Sequence, residues 1–203
     1  MSARARVARS EPLNELAAEE AACRRCQLYK NATQVVPGEG RAKARLMLVG
    51  EQPGDSEDVE GRPFVGPAGR LLDDALGDAG IEPGKVFITN AVKHFKFERR
   101  GKRRIHRRPD AYEIERCRWW LDLERRLIKP RVIVALGTTA ARSLLGKPTT
   151  IKSVRGEPIA LEGGGTLFVT VHPSSLLRMP DRAVRAAAYR TFVKDLKTAA
   201  DAL

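Results

Sequence analysis

Residues 44–55 read ARLMLVGEQPGD. The first seven form a short apolar run ending in glycine, the pattern of a strand buried on both faces. The run passes directly into a Pro-Gly turn signal flanked by two carboxylates, Glu51 and Asp55. Two more runs have the same form, KVFITNAV at 85–92 and RVIVAL at 131–136. Residues 158–161 and 167–171 add strand-like segments around Gly163-Gly164-Gly165. Helical spacing occupies Leu13–Ala22, Gly69–Ala79, Pro109–Leu127, Thr138–Leu145 and Ala183–Leu203. Residues 51–69 read as a loop rich in Gly and Pro. Strands alternating with helices predict βαβ units. The expected fold is therefore α/β: one domain over 1–203, with a central, mainly parallel four-stranded sheet flanked by helices. Residues 1–12 are expected to be a flexible basic tail and 98–109 a basic insertion loop.

In such sheets, sites form at the carboxyl ends of strands. Three predicted strand ends carry unusual chemistry: Gly50 into Glu51-Gln52-Pro53-Gly54, Thr89-Asn90 towards His94, and Val171 into His172-Pro173-Ser174-Ser175. Each has a plain alternative: a turn at Pro53-Gly54, a satisfied cap at Asn90, a structural histidine at 172, and a core ring for Phe64. Convergence of the three on one cleft is what an active site would require.

The 203 residues carry 37 Lys+Arg against 25 Asp+Glu, a net charge of +12. Such a chain attracts a polyanion, nucleic acid first, unless the charge only solubilises the surface. Locally, 98–108 reads ERRGKRRIHRR, with seven basic residues around one histidine. Apolar residues make up 42%, enough for a core. No apolar run approaches the roughly 18 residues of a membrane span, and Met1–Ser10 lacks the apolar stretch of a secretory signal. A cytoplasmic protein without membrane contact is expected. Three cysteines argue against a disulfide scaffold. Cys23 and Cys26 form a CxxC, Cys117 lies on the long predicted helix, and His94 is a possible fourth ligand. Zinc and an iron–sulfur cluster both suit a Cys₃His set, and so do a redox pair or unliganded buried thiols.

Taken together, these segments resemble the uracil-DNA glycosylase superfamily. GEQPG at 50–54 and VHPSSLLR at 171–178 look like its two main motifs. RPFVGPAGRLLD at 62–73 and TNAVKHF at 89–95 resemble segments of its iron–sulfur members. The similarity spans about residues 20–195. Ordinary iron–sulfur members carry Ala where this chain has Gln52 and Cys where it has His94, and they lack the insertion with Lys102-Arg103-Arg104-Ile105-His106. GEQPG, VKHF and KRRIH together are similar to family X, whose members bond covalently to uracil-containing DNA after removing the base.

The resemblance implies a fold of the uracil-DNA glycosylase type and a catalytic set of His106, Glu51, Gln52 and His172. Phe64, Asn90 and Gly50 would hold the flipped base, with Phe64 as the stacking face and the Asn90 amide on the pairing edge. His172 would donate to the leaving uracil at O2. His106 would attack C1′ as a neutral imidazole. Glu51 would hold the second nitrogen of that ring or act on substrate or water, and Gln52 would position a group or water beside C1′. Lys102, Arg103, Arg104, Arg107 and Arg108 would contact phosphates. Ser174, Ser175 and Arg178 would press against the strand near the flipped nucleotide, with Leu176 or Leu177 as a wedge. A [4Fe-4S] cluster on Cys23, Cys26, His94 and Cys117 would serve structure. Expected partners are uracil-containing DNA, single-stranded and also double-stranded, with uracil as product, and the chain is expected to be a monomer. Two other readings share the residues: an ordinary multiple-turnover uracil-DNA glycosylase, and a non-catalytic iron–sulfur DNA-binding protein.

Overall fold

The computed structural model describes residues 10–203. In chain order the elements are α1 (Glu11–Ala21), β1 (Glu39–Gly40), β2 (Leu46–Gly50), α2 (Asp55–Glu60), α3 (Pro67–Asp78) and β3 (Val86–Asn90). Next come β4 (Phe97–Arg100), β5 (Arg103–His106), α4 (Ala111–Ile128), β6 (Val132–Leu136), α5 (Thr138–Leu145) and α6 (Ile151–Val154). The chain ends with β7 (Ile159–Ala160), β8 (Thr166–Thr170), α7 (Pro173–Leu177) and α8 (Arg182–Asp201).

The main sheet runs β1-β3-β2-β6-β8-β7. Its four central strands are parallel, as the continuous apolar runs require, and β1 and β7 pair antiparallel along its edges. The expected four strands are thus present, within a sheet of six. Alternation along each strand feeds both faces. Leu46, Leu48, Val132 and Val134 pack with Leu72 and Leu76 of α3 and Phe192 and Leu196 of α8. Met47, Val49, Ile133 and Ala135 pack with Leu121 of α4 and Leu144 of α5. Chain order reverses between β2 and β6, so the crevice beyond their carboxyl ends is a topological switch point, where ligands bind in open α/β sheets.

Three segments differ from expectation. Residues 51–69 hold the short helix α2 and the start of α3 rather than loop alone. The basic insertion is a β-hairpin, with Phe97 opposite His106 and Arg100 opposite Arg103. Gly101, with φ +59°, supplies the left-handed backbone its two-residue turn needs. Of the expected N-terminal tail, residues 1–9 lie outside the described residues, and Glu11 and Pro12 already belong to α1.

Candidate active site

A cleft of about 750 Å³ opens over the carboxyl ends of the parallel strands. Glu51, Gln52, Phe64, Asn90, His106, His172, Ser174, Ser175 and Arg178 all line it. The three predicted strand ends do converge. A fourth joins them, because Gly137 and Thr138 after β6 line the same cleft.

The floor is built by close approach. A Cβ on Gly50 would lie 2.3 Å from Asn90 Oδ1 and 2.5 Å from the Phe64 ring, so only glycine leaves room for both. Phe64 itself has φ +56°, a strained conformation for a side-chain-bearing residue, and lies under a ring contact with His172 at 5.9 Å. Asn90 is buried, and its Oδ1 has no hydrogen-bond partner among the described residues. A buried acceptor without a partner is costly unless a ligand supplies the donor. Beneath it, the buried Lys93 ammonium donates to the Asn90 carbonyl at 3.1 Å, to Thr89 Oγ1 at 2.5 Å and to Glu124 Oε2 at 2.6 Å. That network fixes the backbone from which the Asn90 amide projects.

His172 caps α7. Its Nδ1 accepts the Ser174 amide at 3.2 Å and lies 2.8 Å from Ser174 Oγ, which in turn accepts from Arg178 at 3.1 Å. These bonds make Nδ1 an acceptor and leave the ring proton on Nε2. Burial pushes the pKa of this ring down to about 4, so it is neutral at pH 7. Ser175 Oγ donates to the His172 carbonyl at 2.7 Å. Both serines therefore build the turn that holds His172. Leu176 is fully buried in the core, which leaves only the exposed Leu177 free to act as a wedge.

His106 stands at the end of β5 with its side chain half exposed, its Nε2 3.3 Å from Glu51 Oε1. Glu51 Oε2 accepts from Thr139 Oγ1 at 2.6 Å. Burial raises the Glu51 pKa, but hydrogen bonds from His106 and Thr139 outweigh it, and the carboxyl titrates below its ordinary range. Arg108 reaches the same region, donating to Thr139 and Thr138. Gln52 turns its amide to the base of the hairpin. It donates to the Lys96 and Arg107 carbonyls and accepts the Lys96 amide, each at 3.1 Å. It positions the hairpin that carries His106.

The basic residues of the hairpin divide. Lys102 and Arg103 are exposed. Arg107 is half exposed and pairs with Glu98. Arg104, expected at phosphate, instead turns inward. Its guanidinium meets Asp55 and Asp58 at 2.5 Å each and lies over the Phe95 and Phe97 rings. It anchors the hairpin to α2. Sequence reading also missed Glu57, whose buried carboxylate accepts the Gly54 and Gly66 amides and ties the two cleft loops together. Thr139, the partner of Glu51, was missed too. Its signal was available, since Gly137-Thr138-Thr139 follows a buried strand as the other site segments do.

Cys23, Cys26 and Cys117 meet in one small cluster with Trp120 and Ile114. The Trp120 indole donates to Cys23 Sγ at 3.1 Å and the Lys93 amide to Cys117 Sγ at 3.2 Å. Burial pushes the Cys117 thiol up to about 12 and the His94 ring down to about 4. His94, next to Lys93 in the chain, is buried and its ring makes no hydrogen bond among the described residues. No three ligand-type side chains among the described residues gather tightly enough for a single metal ion. Convergent thiols with N–H donors and a buried neutral imidazole fit a larger sulfur-ligated group.

Residues 37–197 match the family model of the uracil DNA glycosylase superfamily. The chain is 40% identical to the type-4 uracil-DNA glycosylase of Thermotoga maritima over 191 residues, covering 93% of this chain and 94% of that protein. It is 39% identical to the type-4 enzyme of Pyrobaculum aerophilum over 165 residues, 78% of this chain and 81% of that one. A type-5 uracil-DNA glycosylase of Pyrobaculum aerophilum is 32% identical over 170 residues, 75% of this chain and 71% of its own.

Proposed function

The chain belongs to the uracil DNA glycosylase superfamily, and from that premise we propose that it excises uracil from DNA and then bonds the abasic sugar through His106. The observation that carries the covalent step is the 3.3 Å contact between His106 and Glu51 on the wall of the cleft.

A flipped uracil would enter between Phe64 and the strand ends. Its N3–H supplies the donor that Asn90 Oδ1 lacks, and the Asn90 amide NH₂ donates to O4. Cytosine has an acceptor at N3 and a donor at C4, so it would face two mismatches, each costing about 1–3 kcal/mol. As the C1′–N1 bond breaks, its electron pair leaves with uracil. The Nε2–H of His172 would stabilise that anion at O2. The imidazole lone pair of His106 then bonds C1′, and the ring proton passes to Glu51. Imidazole bonded to sugar is a poor leaving group, so the adduct persists. Exposed Lys102 and Arg103, with Arg108 at the rim, hold the backbone phosphates. Similarity to type-4 enzymes and the thiol cluster support a [4Fe-4S] group on Cys23, Cys26, His94 and Cys117. Bound there, it would tie α1 and α4 together and take no part in the reaction.

A denaturing gel with a uracil-containing oligonucleotide tests the reading. A shifted band stable to SDS and heat, abolished by His106→Ser with release of uracil retained, is the expected outcome. Cleavable abasic product without adduct would make the chain an ordinary multiple-turnover glycosylase.

A further inference from the structure

Between the two cysteines of the CxxC lie Arg24 and Arg25, which the site above does not use. The Arg25 guanidinium lies 5.2 Å over the ring of Trp119 on α4. On the same helix, Arg116 lies 6.0 Å over the ring of Tyr112. The two arginines are locked to each other, each Nε donating to the carbonyl of the other at 3.2 Å. Neither has a carboxylate partner among the described residues. Tyr112, Arg116 and Trp119 stand at i, i+4 and i+7 and so share one helix face. Both rings are open to solvent, Tyr112 61% and Trp119 50% exposed.

Single exposed aromatics are unremarkable, but two in line with arginines fixed between them are not scattered. Glu115 and Asp122 flank this face, and Asp122 is paired with Arg118 and Arg125. Exposed aromatic rings, each backed by a fixed guanidinium, are a means by which proteins hold unpaired bases and their backbone. A paired base hides its faces in the stack and has no use for such rings. Position agrees. Tyr112 follows Arg108, at the cleft rim, by four residues, no more than about 14 Å of chain. Trp119 lies about 10 Å further along the helix axis.

We propose that Tyr112, Arg116, Arg25 and Trp119 form a stacking track for unpaired nucleotides flanking the target base, making single-stranded DNA the preferred substrate. This rests on the reading of the cleft as the site that accepts uracil.

The holoprotein with uracil-free oligo(dT) of 4 and 16 residues tests it first. Trp120 is buried beside Cys23, so an emission change on binding reports Trp119. The 16-mer should quench emission, and Trp119→Phe should abolish the change. Second, uracil oligonucleotides with two or ten flanking nucleotides on one side are reacted at subsaturating protein. One of the two long-flank series should react about tenfold faster than the short one. That gain should vanish in Tyr112→Ala/Trp119→Ala, with the short-flank rate unchanged, and duplex substrate should show no such gain. Emission unaffected by saturating 16-mer, or a flank effect that survives the double substitution, overturns the proposal. Emission that shifts with protein concentration alone would assign the face to a second copy, and overturns it as well. Loss of all uracil chemistry with quenching intact would instead refute the reading of the cleft.

Discussion

Glu51 places one carboxylate oxygen 3.3 Å from His106 Nε2 and the other 2.6 Å from Thr139 Oγ1. The second contact fixes the carboxylate plane, so the first becomes a directional acceptor for the imidazole. Glu51→Gln keeps the shape and removes the charge. Adduct formation should slow by about 10²-fold, the usual cost of losing a general base. Because the Glu51 pKa is lowered, the wild-type carboxylate stays ionised through neutral and mildly acid pH. A gel time course in which Glu51→Gln matches wild type would remove Glu51 from the covalent step.

Arg103 and Arg104 are neighbours in sequence with opposite surroundings, one exposed and one held by Asp55 and Asp58. Arg103→Ala should flatten the log–log salt dependence of DNA binding by about one unit. Arg104→Ala should leave that slope nearly unchanged. It would leave the fully buried Asp58 with the Thr33 amide but no cation, so about 2 kcal/mol or more of stability should go, with the hairpin loosened. Salt titration and thermal melts on the two variants separate the roles. Equal slopes for both variants would show Arg104 at phosphate after all.

This pair also shows what sequence can reveal. The four parallel strands were legible because burial on both faces writes a continuous apolar run, as in Leu46–Gly50. Their ends, with Glu51, Asn90 and His172, followed from topology. Helix α2 was not legible. Its sequence, DSEDVE, is short and acidic and has no apolar face. It is held by the bonds of Glu57 to two loop amides and by the ion pair of Asp58 with Arg104, contacts that exist only after folding. The hairpin hid likewise. Its strands show no alternation, and packing of Arg104 on Phe95 and Phe97 replaces the missing apolar face.

His172 should make the protein acid-sensitive before any carboxylate does. Its pKa is about 4 in the folded state against an ordinary 6.5. The folded form resists protonation, so the unfolded form binds more protons between those values. Stability is therefore full above pH 6.5 and falls as pH drops towards 4. Between pH 7 and pH 5 this one ring should cost at most about 2 kcal/mol. Denaturant titrations of wild type and His172→Gln at both pH values check it, since the variant should lose correspondingly less. An identical loss in the two proteins would mean that the ring is solvated when neutral.

Gly50 gives the narrowest test of the base pocket. It precedes Glu51, so its backbone belongs to β2 and pairs with Asn90 across the sheet. Its φ is not left-handed, and alanine there carries no backbone strain. The cost is local: the added methyl would stand 2.3 Å from Asn90 Oδ1 and 2.5 Å from the Phe64 ring. Both must shift into the space proposed for uracil. Gly50→Ala should therefore fold, lose about 1–3 kcal/mol to overpacking, and bind undamaged DNA with wild-type affinity, because phosphates dominate that affinity. Uracil release should fall by 10²-fold or more, as misplacement of about 1 Å at a reacting centre suffices for such a loss. Asn90→Ala should behave alike on release without the loss to overpacking. Release of uracil by Gly50→Ala at the wild-type rate would place the base somewhere other than between Phe64 and Asn90.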